Sequence, residues 1–397
     1  MDRTILHCDC NSYYASVECI SRPELKTVPM AVCGDPESRH GIILAKNDLA
    51  KRYGVQTAET IWQAKKKCPN LTLVAPHHHL YEEYSEQINR IYEQYTDLVE
   101  PFGIDESYLD VTGSMHKFGT GLEIADELRR RVREEIGITI SVGVSFNKIF
   151  AKLGSDYKKP DATTVITRDN YQALLWPLPA RDMLFVGSVA GDRLANMGID
   201  TIGAIAASGQ EQMKALLGRS GETIWEYAMG LDNSPVKSPD DIGPPKSIGN
   251  SITFPRDLQG REEICAGLLA LSDQVGSRLR KHGLYCATVQ IQIKDPYLQT
   301  ISRQQKLCAP TNTTKVIYDA AVALAEKSWA ISAPVRLLSV TGSNLTDCCT
   351  EQMILIGDTT DEKLKNTKLD HAMDSIRSRY GKDAISYARL MKKSKDK

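Results

Sequence analysis

Two neighbouring acids, Asp105 and Glu106, lie in the string G-I-D-E-S-Y-L-D, and a third, Asp9, ends the apolar run T-I-L-H-C-D-C. Carboxylates at strand ends can hold two divalent ions a few ångström apart, the usual device for in-line attack on a phosphate. Paired acids are more often solvated surface charge, so their company decides the reading. Asp9 is followed by Cys10-Asn11-Ser12-Tyr13-Tyr14-Ala15, an acid, a turn and a helix start. Backbone N–H groups at such a turn can grip phosphate oxygens. The Cys10 carbonyl can join a metal shell, because hard cations accept backbone oxygen. Tyr14 is placed either to wall off a sugar edge or, with Tyr13, to pack in the core. Lys46, Lys51 and Arg52 form one basic group, and Lys148, Lys152, Lys158 and Lys159 another. Lysines are point charges suited to triphosphate. The run His77-His78-His79 lacks ligand spacing and is not expected to bind metal. Asp110 reads as structural.

These side chains need strands to carry them. Residues 4–9 read as a buried strand and 11–21 as a helix, followed by strands at V-P-M-A-V-C-G and G-I-I-L-A. N-D-L-A-K-R-Y-G reads as a helix closed by Gly54 at C′. Residues 80–99 read as one long helix, F-G-I-D-E-S-Y-L-D-V-T as a strand, 120–136 as a helix and I-T-I-S-V-G-V-S as a strand. The β-α-β-β-α-β order predicts an antiparallel sheet with helices on one face, an α+β class. Residues 170–230 break into short helices. The stretch D-N-S-P-V-K-S-P-D-D-I-G-P-P-K is a linker. Residues 247–345 alternate like strands, with helices near 262–281 and 314–327, a further α+β domain.

The chain has 397 residues, enough for several domains, and 42% hydrophobic residues. No apolar run approaches the length of a membrane span, and the N-terminus does not read as a secretory signal. Ten cysteines without a C-x-x-C pair read as reduced thiols, hence a cytoplasmic location. The net charge is −1. The segment from Glu82 to Asp110 is acidic, whereas 363–397 carries eleven Lys or Arg against four Asp, a tail suited to polyanions.

D-C-N-S-Y-Y-A-S-V-E, I-D-E-S-Y-L-D and G-V-S-F-N-K-I-F-A-K-L-G-S-D-Y-K-K-P-D resemble the Y-family translesion DNA polymerases of the bacterial polymerase IV type. The resemblance continues through K-S-I-G-N-S-I-T-F, P-T-N-T-T and P-V-R-L-L-S-V, in the family's order. It implies a multidomain right-hand polymerase: palm 1–10 and 77–166, fingers 11–76, helical thumb 167–233, linker 234–246, little finger 247–345 and tail 346–397. It further implies low-fidelity, template-directed addition of dNTPs to a primer on primer–template DNA, by a monomer. Two Mg²⁺ would be held by Asp9, the Cys10 carbonyl, Asp105 and Glu106. Tyr14 matches the steric gate against ribonucleotides. Tyr13, Tyr14, Lys51 and Lys159 match positions that contact triphosphate. Small residues at Ala45 and Ser107 are consistent with an open, lesion-tolerant site.

Three departures stand out. Asn11 replaces a second Asp found in many members. Asp48 replaces a triphosphate-binding Tyr and would repel phosphate. The thumb turn Val186-Gly187-Ser188-Val189 lacks its usual second Gly. In the tail, Gln352, Met353, Leu355 and Ile356 resemble the pentapeptide that docks on a sliding clamp, with Ile356 in place of the aromatic. Two other readings use some of the same residues: a catalytically silent DNA-binding accessory protein, for which Asn11 and Asp48 leave room, and a two-metal nuclease, which leaves Tyr14 unexplained.

Overall fold

The apolar N-terminal run forms the strand Ile5–Cys10, buried along its whole length. This computed structural model describes residues 2–36, 41–238, 241, 243–330, 332–348 and 359–390. The chain forms two compact units, Met1–Gly243 and Pro244–Lys397.

In the first unit Ile5–Cys10 is the centre of a five-stranded sheet ordered Val99–Pro101, Glu106–Asp110, Ile5–Cys10, Ile140–Ser145, Thr163–Val165. Its neighbours on both sides are antiparallel, and the register sets Asp9 opposite Glu106 on one strand and Ser141 on the other. Side chains alternate across a strand. Leu6, Cys8 and Cys10 therefore enter one core with Tyr81, Ile88, Ile124 and Leu128 of the helices His78–Tyr92 and Gly121–Arg131. Ile5 packs on the opposite face with Tyr108 and Ala151.

Two expectations about this sheet are corrected. The outer pair Ile140–Ser145 and Thr163–Val165 is parallel. The helix Lys148–Tyr157 is the crossover that parallel pairing requires, and it covers the second face, so helices lie on both faces. Contact there is close: a Cβ on Gly143 would come within 1.9 Å of the Ala151 carbonyl oxygen, which no side chain tolerates.

Other boundaries also shift. The helix expected over 80–99 ends at Tyr92, where the Thr96 hydroxyl takes over backbone groups, donating to the Asp110 carbonyl and accepting from the Leu98 N–H. Of the expected strand 102–112, only Glu106–Asp110 is extended in the sheet. The helix beginning after Thr120 has a capping box with Glu123; its last turn, Val132–Ile136, widens into a π-helix closed by Gly137 at φ 88°.

A smaller sheet centres on Met30–Cys33, with Ile43–Lys46 antiparallel and Thr72–Val74 parallel. Beside it lie the helices Asp48–Arg52, capped by Asn47, and Ile61–Lys67. Gly54 has φ 78°, as its predicted place after the helix requires. Short helices between Tyr171 and Ala228 share a core with Phe146 and Phe150. Within the turn Val186-Gly187-Ser188-Val189, Gly187 precedes the helix Ser188–Asn196.

The second unit is a four-stranded antiparallel sheet ordered Thr300–Thr311, Tyr285–Lys294, Val335–Thr346, Ser247–Leu258, with the helices Gly260–Lys281 and Thr314–Ser328 packed on it. A third helix, Thr359–Tyr380, is clasped to these two. Buried Arg280 reaches Asp370 at 3.1 Å and Asp374 at 2.6 Å. Arg377 pairs with Asp273 at 2.8 Å, and Asp370 accepts the Thr314 N–H. Arg377 of the basic tail is thus spent on an internal pair. Gln352, Met353, Leu355 and Ile356 lie outside the described residues. Among the described residues no helix is long and apolar enough to cross a membrane.

Candidate active site

Strand alternation puts Ile5, His7 and Asp9 on one side of the central strand, facing the helix Lys148–Tyr157. Asp9 is buried, and its Oδ2 accepts from Lys152 Nζ at 2.9 Å and Lys159 Nζ at 2.8 Å. Lys152 Nζ also reaches Glu106 Oε1 at 3.0 Å. Asp105 lies one residue before the Glu106 strand, and its carbonyl accepts the Cys10 N–H at 3.0 Å. The three carboxylates therefore share one corner of the sheet.

Their electrostatics agree with that placement. Burial, then the charges of Asp9 and Glu106, push the Asp105 carboxyl up to about 6. Burial alone would raise Glu106 too, but the His7 hydrogen bond and the Lys152 charge outweigh it and hold Glu106 at about 2. Burial opposes the charged Lys152 ammonium, yet Asp9 and Asp156 keep its pKa above the ordinary lysine value. The donor set suits a hard divalent ion, with carboxylate oxygens gathered where like charges repel until a cation arrives. His7, Asp9 and Glu106 each offer a ligand atom, all within 4.8 Å of one another.

The turn after Asp9 is tight, with Ser12 in the left-handed region at φ 50° before the helix Tyr13–Ser21. Asn11 has both ends of its amide occupied: Nδ2 donates to Thr139 Oγ1, and Oδ1 accepts from the Ser141 hydroxyl. The Tyr13 phenol points into the core and donates to the Tyr81 carbonyl at 2.6 Å, so a ligand at this turn can meet only its backbone. Tyr14 is half-buried and stacks on Tyr81 at 4.2 Å between ring centroids. The Tyr81 hydroxyl is anchored by buried Glu18 at 2.5 Å, which His77 also contacts. His77 and His78 thus meet separate partners, Glu18 and the Tyr14 edge, as expected of a run without ligand spacing.

The lysines divide. Lys152 and Lys159 join the carboxylates. Lys148 pairs instead with Glu100 at 2.7 Å, and Lys46 donates to Thr57. Lys51 and Lys158 are exposed. Asp48 stands with Asn11, Ser12, Lys26, Thr139 and Asp161 around a cleft of about 390 Å³. Asp110 accepts the N–H and hydroxyl of Thr112, the structural role expected. Two contributors escaped the sequence reading, His7 and Ser155. The signal was present: His7 lies two residues before Asp9 on a strand, and Ser155 three after Lys152 on a helix.

Comparison with known proteins gives one answer. The impB/mucB/samB family profile matches residues 8–156, and that of the impB/mucB/samB family C-terminal domain matches residues 245–355. A DNA polymerase IV of Acetivibrio thermocellus is 49% identical over 383 residues, covering 96% of each chain. DNA polymerase IV 2 of Bacillus subtilis is 39% identical, covering 97% of this chain and 93% of that one. Among solved structures, the Y-family DNA polymerase chimera Dbh-Dpo4(243-245)-Dbh is similar with a TM-score of 0.76 at 25% identity, covering 86% of this chain and 98% of that one.

Proposed function

This chain belongs to the impB/mucB/samB family, and from that premise we propose that it is a translesion DNA polymerase extending a primer on a template strand, with Asp9, Asp105 and Glu106 as its catalytic carboxylates. The observation that carries this reading is the meeting of three carboxylates and two lysines at one sheet corner. The silent accessory reading leaves that concentration of buried charge without a purpose.

Asp9, the Cys10 carbonyl, Asp105 and Glu106 would hold two Mg²⁺ ions. When bound, the ions neutralise charge on the primer hydroxyl, the triphosphate and the pyrophosphate leaving group. The chain's own residues do the positioning. Backbone N–H groups of the Ser12–Tyr14 turn face the triphosphate, with Lys51 reaching from the fingers. Lys159 transfers its ammonium from Asp9 to the triphosphate when nucleotide binds. Tyr14, held flat by Tyr81, crowds the 2′-carbon and excludes ribonucleotides. Asp48 repels the triphosphate and weakens nucleotide affinity.

On this reading palm, fingers, thumb and little finger occupy 1–10 with 77–166, 11–76, 167–233 and 247–345. The substrates are primer–template DNA and dNTPs. Gln352, Met353, Leu355 and Ile356 dock on a sliding clamp. The protein is a cytoplasmic monomer, a location supported by the free cysteines of the described residues. The test is extension of a labelled primer by the full chain with Mg²⁺. Extension that chelation abolishes is expected; no extension despite tight primer–template binding would refute the proposal.

A further inference from the structure

Beneath the carboxylates sits a residue that the reaction scheme above does not use. His7 is fully buried. Its Nδ1 lies 2.8 Å from Ser155 Oγ, which is also 2.8 Å from the Lys152 carbonyl oxygen. With the Ser155 hydroxyl donating to Nδ1, the neutral ring carries its hydrogen on Nε2 and is fixed from one side. Tyr108 packs against the imidazole at 4.6 Å between centroids. The remaining polar atom, Nε2, has no partner among the described residues except Glu106 Oε2 at 3.3 Å.

We propose that His7, locked by Ser155, is a positioning residue that fixes the Glu106 carboxylate and so sets how tightly the site takes a divalent ion. The two oxygens of Glu106 are held differently. Oε1 is held by Lys152 Nζ at 3.0 Å, a head group on a flexible stem that can yield to an incoming cation. Oε2 is held by a ring that cannot move. With its hydrogen on Nε2, the neutral ring faces the ionised Oε2 at 3.3 Å, and no further proton is needed for the two to attract. Glu106 therefore keeps Oε2 on His7 and turns Oε1 to the ion. Partners behind a metal-binding carboxylate typically change ion affinity or activity about 10–100-fold when removed.

This inference rests on the polymerase reading and has a readout independent of turnover. Mn²⁺ binding to the full chain, with primer–template and a non-hydrolysable dNTP, is followed by electron paramagnetic resonance for wild type, His7→Phe, His7→Gln and Ser155→Ala. His7→Phe is expected to raise the Mn²⁺ half-saturation about 10–100-fold while leaving the dNTP KM at saturating metal unchanged. His7→Gln, which keeps an N–H for Glu106, recovers most of the loss, and Ser155→Ala shifts the curve less in the same direction. A His7→Phe protein that melts like wild type and keeps its Mn²⁺ curve overturns the proposal. Where His7→Phe does not fold, an unchanged curve for Ser155→Ala overturns it. If the polymerase reading itself fails, wild type extends no primer, a different result from an unmoved Mn²⁺ curve.

Discussion

Asp48 is an acid lining a cleft that also holds Asn11 and Ser12, which on the proposed function is where the triphosphate approaches. Removing one like charge at short range in a wet site is worth about 1 kcal/mol, roughly fivefold in affinity. Asp48→Tyr should lower the dNTP KM by that order with kcat little changed; an unaltered KM would show that Asp48 does not face the nucleotide. Asp105 makes a second prediction, on pH. Its carboxyl is raised to about 6, above its unfolded value near 4. The ion-free folded state thus binds this proton more tightly than the unfolded chain does. This group's contribution makes the ion-free protein more stable as pH falls from about 6 toward 4. Ion affinity runs the other way, because a proton competes for the carboxylate. Mn²⁺ titrations should weaken progressively below about pH 6, and a flat response would contradict the clustering of the three acids. The acids themselves were legible in the sequence, since Asp9 lies near the end of one apolar strand and Asp105-Glu106 at the start of another. His7 was not legible as part of the site, although a period of two places it on the face of Asp9, because its partner Ser155 lies 148 residues away.

Strands and helices were legible wherever their own side chains decide them. Ile5–Cys10, the capped helix after Thr120 and the stop at Gly54 follow from local pattern. What escaped depends on distant partners. Thr163–Val165 runs parallel because the Lys148–Tyr157 helix returns the chain to the same end of the sheet. The helix after His77 stops at Tyr92 because Thr96 bonds to Asp110, fourteen residues away. The clasp on the Thr359–Tyr380 helix joins Arg280 to Asp374 across ninety-four residues, beyond any local pattern. That clasp carries a prediction. Arg280 and Asp370 are almost fully buried, and removing one partner of such a pair typically costs about 3–5 kcal/mol. Arg280→Met should lower the unfolding midpoint of the second unit accordingly and expose residues 359–390 to proteolysis. Wild-type melting would show that the helix adds nothing to that unit. The family's C-terminal profile stops at residue 355, so this helix extends the second unit beyond the matched domain.

At the scale of the whole molecule, charge balance hides the function. A net charge of −1 gives no hint of a polyanionic substrate, yet basic side chains concentrate locally, Lys152 and Lys159 among them. DNA binding by the full chain should weaken steeply with salt, log Kd rising with log salt by about 0.9 for each phosphate neutralised; a flat dependence would mean that phosphate contacts do not carry the affinity. On the proposed function, the Asp9–Asp105–Glu106 corner performs nucleotide addition and tolerates damaged templates. Its most direct test is single-turnover insertion with Mg²⁺ on undamaged and abasic templates, comparing wild type with Asp105→Asn/Glu106→Gln at matched DNA occupancy. Wild type should insert on both templates and the variant on neither, with DNA binding retained. Equal insertion by both proteins would contradict it, and insertion by wild type on undamaged template alone would remove the bypass half of the claim.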